Sequence, residues 1–409
     1  MSGEGRPQEA LRSALRDHWG RLLALLAAQY RRLDLAEEGL ADAFEAAART
    51  WPEAGVPDNP PAWLLTAARR RVLDVLRREA TLARRMPLLE VDAGLAADAQ
   101  RVMADAGEDV TDELLRLVLL CAHPALSREA AAALTLRLVL GVSTQDVARL
   151  FLQQTPTMAA RLTRARQRVA GERFAVPPAR DLAGRVQRVA DVAYLAFTAG
   201  YAPGSGSDVV RADLAAEAVR LVRVVRALVA DPELDALLAL MLLQHSRRDA
   251  RVRDGELVLL PDQDRTLWHA AEIAEAVDLL SPLVGAPPAP YLLQALVAAE
   301  HVVAPSSAGT AWDRVVARYD ELLALGESPV VRLHRAVAVA ERDGAEAGLA
   351  ALAGITLRGH RLPAVRAELL ARAGRRDDAL AAYDAAIALC GNDAERAGLT
   401  RRRAGTAAR

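Results

Sequence analysis

The stretch Ser143–Val169, STQDVARLFLQQTPTMAARLTRARQRV, constrains the chain most, because its pattern describes two short helices joined by a tight turn. Ser143 or Thr144 is suited to cap the first helix, where a side-chain oxygen accepts one of the unpaired N–H groups. Asp146 then falls in the first turn, where the helix dipole favours negative charge. Val147 and Leu150 supply an apolar side, and Ala148 is small enough for a second helix to cross closely. Gln153, Gln154, Thr155 and Pro156 interrupt the pattern and restart it, with proline tolerated in the first turn. Met158, Leu162, Ala165 and Val169 recur as one inward stripe of the second helix. Beside it runs Thr157, Arg161, Arg164 and Arg168, with Arg166 adjacent. This is the outline of a helix-turn-helix whose second helix enters a DNA major groove, where arginine pairs with guanine edges or phosphates. The competing reading is an amphipathic helix with a solvated basic face.

The 409 residues are 52% hydrophobic and 4% aromatic, enough for two or three domains with real cores. A formal charge of −1 hides a basic side made wholly of arginine, so the clustering of arginines matters more than the total. Two cysteines, Cys121 and Cys390, argue against a disulfide scaffold and fit a reducing cytoplasm. No secretory leader is expected, since the first residues are polar and Leu22–Ala28 is too short. The apolar zone Leu114–Val142 is broken by Arg116, His123, Arg128 and Arg137, so no membrane span is expected. The expectation is an all-α, soluble protein.

Residues 7–82 read as a first helical block. Leu11, Leu15, Leu22, Leu25 and Leu26 mark one helix or helix pair. A second, Leu35 to Thr50, turns Leu40, Ala43, Phe44 and Ala47 inward and Glu37, Glu38, Asp42 and Glu45 outward. The loop WPEAGVPDNPPAWL then ends one helix and begins the next. That next helix buries Leu65, Ala68, Val72 and Leu76 and shows Arg70, Arg71, Arg77 and Arg78, paired at seven-residue spacing. Opposite charges on adjacent helices point to two partners, one basic and one anionic, or else to ordinary solvated surface. Residues 83–111 are acid-rich and alanine-diluted, and read as an extended linker with room for helical stretches.

Residues 1–173 resemble a bacterial sigma factor of the extracytoplasmic-function class. The resemblance is carried by LDLAEEGLADAFEAAART, DNPPAWLLTAARRRVLDVLRRE and TQDVARLFLQQTPTMAARLTRARQRV, in that order. It implies that 7–82 is a sigma-2-like domain and 112–173 a sigma-4-like helix-turn-helix domain. By the same resemblance Asp34, Glu37, Glu38, Asp42 and Glu45 would meet the clamp coiled coil of core RNA polymerase, the second domain its flap. Trp51, Asn59, Trp63, Arg70, Arg71, Arg77 and Arg78 would capture and melt the −10 element of promoter DNA. Thr155, Thr157, Ala160, Arg161, Arg164 and Arg168 would read the −35 element. Melting needs no enzyme if unstacked bases are captured as they open. Trp51 and Trp63 could wall such a pocket or be core. Where many relatives carry a glycine or acidic residue before the recognition helix, this chain has Gln153-Gln154-Thr155-Pro156.

After a proline-rich linker at 174–181, residues 182–409 are again helical in pattern. Tyr194, Phe197 and Tyr201 form a core-like stripe, and Arg251–Val258 carries an Asp-Gly turn suited to a small hairpin. Gly374–Leu389 matches the second half of a tetratricopeptide repeat, with Ala379 at the helix crossing and Tyr383 and Ala386 at the expected intervals. A poorer copy begins at Pro329. Such pairs stack into a solenoid whose concave face takes peptides or proteins. The segments RADLAAEAVRLVRVV and SPVVRLHRAVAVAE resemble the sigma-factor subgroup with a C-terminal tetratricopeptide-like extension, implicated in regulation. The chain departs from that subgroup at Phe197–Tyr201, where an Asn-Glu pair is expected, and at His334, where Asn is expected.

No cofactor, metal site or catalytic set is expected. His245, Asp249, Asp254, Asp262, Asp264 and His269 match no ligand spacing, and Cys121-Ala122-His123 lacks a second half. Asp262 or Asp264 reads as a helix cap near Arg265, and Arg247, Arg248 and Arg265 as part of an ion-pair network. Besides a sigma factor, the sequence is compatible with a helix-turn-helix regulator independent of polymerase, or a scaffold with a sigma-like head.

Overall fold

The computed structural model describes residues 5–82, 108–151, 153–201, 212–253 and 256–408. It is all-α: the described residues form eighteen α-helices, a few 3₁₀ turns and one two-stranded hairpin. The chain divides into two compact units, residues 1–195 and 196–409.

In the first unit α1 (Gly5–Tyr30), α2 (Leu33–Ala54) and α3 (Pro60–Leu82) pack on one another. Trp19, Leu22, Leu23 and Leu26 of α1 are buried, with Leu40, Ala43, Phe44 and Ala47 of α2 and Leu64, Leu65, Ala68 and Val72 of α3. The inward stripes of α2 and α3 thus follow the spacing of their apolar residues. A Cβ on Gly39 would stand 2.8 Å from Val72 Cγ2 and 3.1 Å from the Ala68 carbonyl, so glycine sets how closely α2 meets α3. Helix α2 runs through Pro52 to Ala54 rather than ending at Thr50, and Gly55 closes it at φ +86°. Asn59 starts α3 by accepting from the Ala62 N–H at 3.1 Å.

The acidic tether expected over 83–111 lies outside the described residues except for 108–111, which begin α4 (Glu108–Cys121). Helices α5 (Arg128–Leu138), α6 (Thr144–Leu150) and α7 (Thr155–Val169) follow. Ser127 caps α5, and Ser143 caps α6 by accepting from the Asp146 N–H at 3.0 Å. Helix α4 packs on α1, so the blocks 7–82 and 112–173 belong to one compact unit. The approach is close. A Cβ on Gly20 would fall 2.3 Å from the Val139 carbonyl oxygen, and Gly141, at φ +71°, lies against the Trp19 ring. The linker 174–181 is already helical at Ala179, where α8 (Ala179–Tyr201) begins, and the boundary between units falls within α8.

In the second unit α9 (Ala212–Leu228), α11 (Ala270–Leu280) and α12 (Pro290–Val303) surround α10 (Pro232–His245). Leu234 and the run Ala236–Leu243 of α10 are all buried, the signature of a helix enclosed on every side. Glu233 accepts from the Tyr291 and Leu292 N–H groups at 3.0 Å each and so caps α12 from outside. The expected hairpin is present as β1 (Val252–Arg253) and β2 (Glu256–Leu257), with Val252 opposite Leu257; Asp254 and Gly255 lie outside the described residues.

Helices α13 (Trp312–Leu325), α14 (Pro329–Asp343), α15 (Ala345–Ala351), α16 (Arg361–Arg372), α17 (Arg376–Leu389) and α18 (Asp393–Ala408) then pack each on the next. Small successive cores join them: Val315, Val316 and Val339, then Leu333, Ala340 and Leu369, then Ala367, Tyr383 and Leu399. Gly374 ends α16's turn at φ +76°, and Ala379, Tyr383 and Ala386 are buried at the spacing read from the sequence.

Candidate nucleic-acid interface

Helix α7 carries the arrangement most suited to nucleic acid. Met158, Leu162, Ala165 and Val169 are buried, which obliges the neighbouring stripe to face outward. Thr155, Thr157, Ala160, Arg164 and Arg168 are exposed, and Arg161 is half-buried. The Gln153 amide, with its oxygen turned toward Arg161, accepts from both terminal guanidinium nitrogens at 3.2 and 2.9 Å. The turn that precedes the helix therefore orients one of its arginines. Arg164 and Arg168 have no acidic partner among the described residues.

On α3, Arg70 and Arg78 are exposed, Arg77 pairs with Asp74 at 3.3 Å, and Arg71 pairs with Asp42 of α2. The two oppositely charged faces expected on α2 and α3 thus meet directly at Asp42–Arg71. Trp51 is only 2% exposed and meets Trp63 edge-on at 5.7 Å between ring centroids. Of the two readings left open for these tryptophans, Trp51 takes the core one, while Trp63 is half-buried. Asn59 uses its side-chain oxygen to cap α3.

The acidic face needs one correction. Glu38 and Glu45 point outward as expected, and Asp34 is exposed with its carboxyl held below the usual range by hydrogen bonds from Arg32. Glu37 is not outward: it is 8% exposed. Its carboxylate lies 2.8 Å from Arg137 Nε of α5 and 2.7 Å from Arg166 Nη2 of α7. A carboxylate there is tolerable only because two guanidinium groups offset its desolvation. Arg137 also lies over the Trp19 ring at 5.2 Å. Arg166, which the helical spacing places beside the basic stripe, is half-buried and engaged by Glu37. The nearby Cys121 thiol is fully enclosed, and burial followed by the Glu37 charge raises its pKa, so it stays protonated.

Arg137 was legible only as an interruption of an apolar zone. A charge inside such a zone demands a buried partner, and that demand was the signal available. In the second unit the residues considered for a metal take other roles. His245 and Arg248 bind Glu272, His269 binds Asp249 at 2.7 Å, and Asp264 caps the turn at Thr266. Arg265 donates to the Ala304 and His301 carbonyls instead of to an acid. Among the described residues no helix is long and apolar enough to cross a membrane.

A model for a family of unknown function, DUF6596, matches residues 185–283. An uncharacterized protein of Rhizobium meliloti (strain 1021) is 40% identical over 410 aligned positions, covering 97% of this chain and 95% of that protein. No solved structure matches the chain.

Proposed function

The chain belongs to the same family as that Rhizobium meliloti protein, and on this premise we propose that it is a sigma factor of the extracytoplasmic-function class, with a tetratricopeptide-like tail. The supporting observation is the outward row of α7, with Arg164 and Arg168 bare of acidic partners among the described residues and Arg161 oriented by Gln153. A row of guanidinium groups on a helix whose opposite side is fully buried suits a major groove, where base edges and phosphates supply the missing acceptors. Arg70 and Arg78 of α3 offer a second basic surface for the −10 region. Asp34, Glu38 and Glu45 remain exposed for core polymerase.

The test is transcription by purified core RNA polymerase over a promoter library, with and without the protein. Promoter-directed initiation that depends on the added chain is the expected result; none from any promoter would overturn the reading. Ending the chain after Leu195 should alter that activity if the tail regulates it.

One observation favours a second reading. Glu37 is enclosed, Asp42 is paired with Arg71 and Asp34 with Arg32, so three of the five acidic residues assigned to polymerase are engaged within the chain. A helix-turn-helix regulator acting without polymerase would tolerate this. Such a protein would footprint duplex DNA alone and fail to co-purify with core enzyme.

A further inference from the structure

We propose that His360, Cys390 and Glu395 form a binding site for a divalent transition-metal ion of the zinc class. A ligand atom from each, imidazole nitrogen, thiol sulfur and carboxylate oxygen, lies within 4.8 Å of the others. No other group of three histidine, cysteine or acidic residues converges this way among the described residues. The three come from separate elements: His360 precedes α16, Cys390 follows α17, and Glu395 sits in the first turn of α18.

The turn carrying two of them is rigidly held. Asn392 is 1% exposed and its side-chain oxygen accepts from the Glu395 N–H at 3.0 Å. The Cys390 carbonyl accepts from Arg396 Nε and Nη2 at 3.1 and 3.0 Å. Cys390 itself is buried, its thiol donating only a long 3.4 Å bond to the Asn392 carbonyl. His360 Nε2 and Glu395 Oε2 stand 2.9 Å apart, which an ion pair alone would explain. The ion pair does not account for a thiol brought to the same point.

A mixed nitrogen, sulfur and oxygen set selects zinc or cobalt over magnesium or calcium, which prefer oxygen alone. Three protein donors fill three of four tetrahedral positions. His360 and Glu395 also line a cavity of about 510 Å³, walled by Leu333, Val365, Arg361 and Arg402, which gives a water or an exogenous anionic donor room for the fourth. Binding is a proton exchange: the Cys390 S–H bond breaks, a metal–sulfur bond forms, and the proton leaves to solvent. His360 coordinates as neutral imidazole and Glu395 as carboxylate, so two negative ligands balance the ion's charge.

The test uses the full-length chain, freed of metal by chelation and titrated with Co²⁺. One equivalent per chain is expected to give a thiolate-to-cobalt charge-transfer band with proton release, and Zn²⁺ should bleach it. C390S should abolish the band. C121S, which removes the other thiol, should keep it. H360A and E395Q should weaken binding by about ten-fold or more. A wild-type chain with no saturable band, or a band that survives C390S, overturns the proposal. Neither result bears on transcription, so the site stands or falls apart from the function proposed above.

Discussion

The two units hold some of their arginines in different settings. Along the tail, several surface arginines pair with acids: Arg223 with Glu275, Arg332 with Glu327, Arg335 with Asp320, Arg375 with Asp378 and Arg403 with Asp384. In the first unit, Arg137 and Arg166 converge on one enclosed carboxylate, while Arg78, Arg164 and Arg168 meet no acid among the described residues. Matched surface pairs keep a helical array soluble and contribute little else. A buried pair organises the packing around it, and a bare row leaves its charge available to an outside polyanion. The contrast lies between particular sites: the enclosed Glu37 cluster and the bare row of α7 in the first unit, and the paired surface arginines named in the tail.

Removing the acid at the centre of the first unit breaks the comparison most sharply. Glu37→Ala leaves two guanidinium groups enclosed without a counter-charge, and should cost about 3–5 kcal/mol of stability. Denaturant unfolding of the full chain measures it; a loss below about 1 kcal/mol would mean that the cluster behaves as surface.

A pH effect of somewhat smaller size belongs to the tail. Burial, then the Arg247 and Arg265 charges, push the His301 imidazole down to about 4. Its unfolded value is about 6.5, so the unfolded chain binds the extra proton between the two. Stability from this group is complete above about pH 6.5 and falls as pH drops toward 4, by up to about 3 kcal/mol. His301→Gln should flatten that part of the unfolding profile. An unchanged acid limb would show that other groups set it.

Arg164→Ala should lower transcription from the native promoter by roughly 5- to 150-fold, the range set by about 1–3 kcal/mol for a base contact. Association with core polymerase should be unaffected. Equal transcription from variant and wild type would remove α7 from DNA recognition. At the small end, Arg403→Ala breaks the exposed pair with Asp384 and should leave the unfolding midpoint nearly unchanged, the more so in high salt. A larger effect would mean that the Arg403–Asp384 pair contributes to the packing of the tail.

The elements that stood out in the sequence did so because burial repeats with the helical period. The stripe Met158, Leu162, Ala165 and Val169 is buried as read, the Ser143 cap is in place, and Ala379, Tyr383 and Ala386 face inward. The same periodicity misplaced Glu37, because an amphipathic pattern assigns every acid to solvent unless a partner is known. Trp51 could be settled only by its neighbours, since a tryptophan beside a proline-rich loop suits either a core or a pocket wall.

Local sequence determined the helices, their caps and their apolar faces, since these depend on residues no more than four positions apart. Tertiary structure alone decided which charges meet between helices, as opposed to pairs one turn apart such as Arg77 and Asp74. Arg166 and Glu37 are 129 positions apart, and the 30 positions from His360 to Cys390 span two helices whose packing brings them together. Electrostatic energy depends on distance and on the surrounding medium, and only the folded chain sets either one.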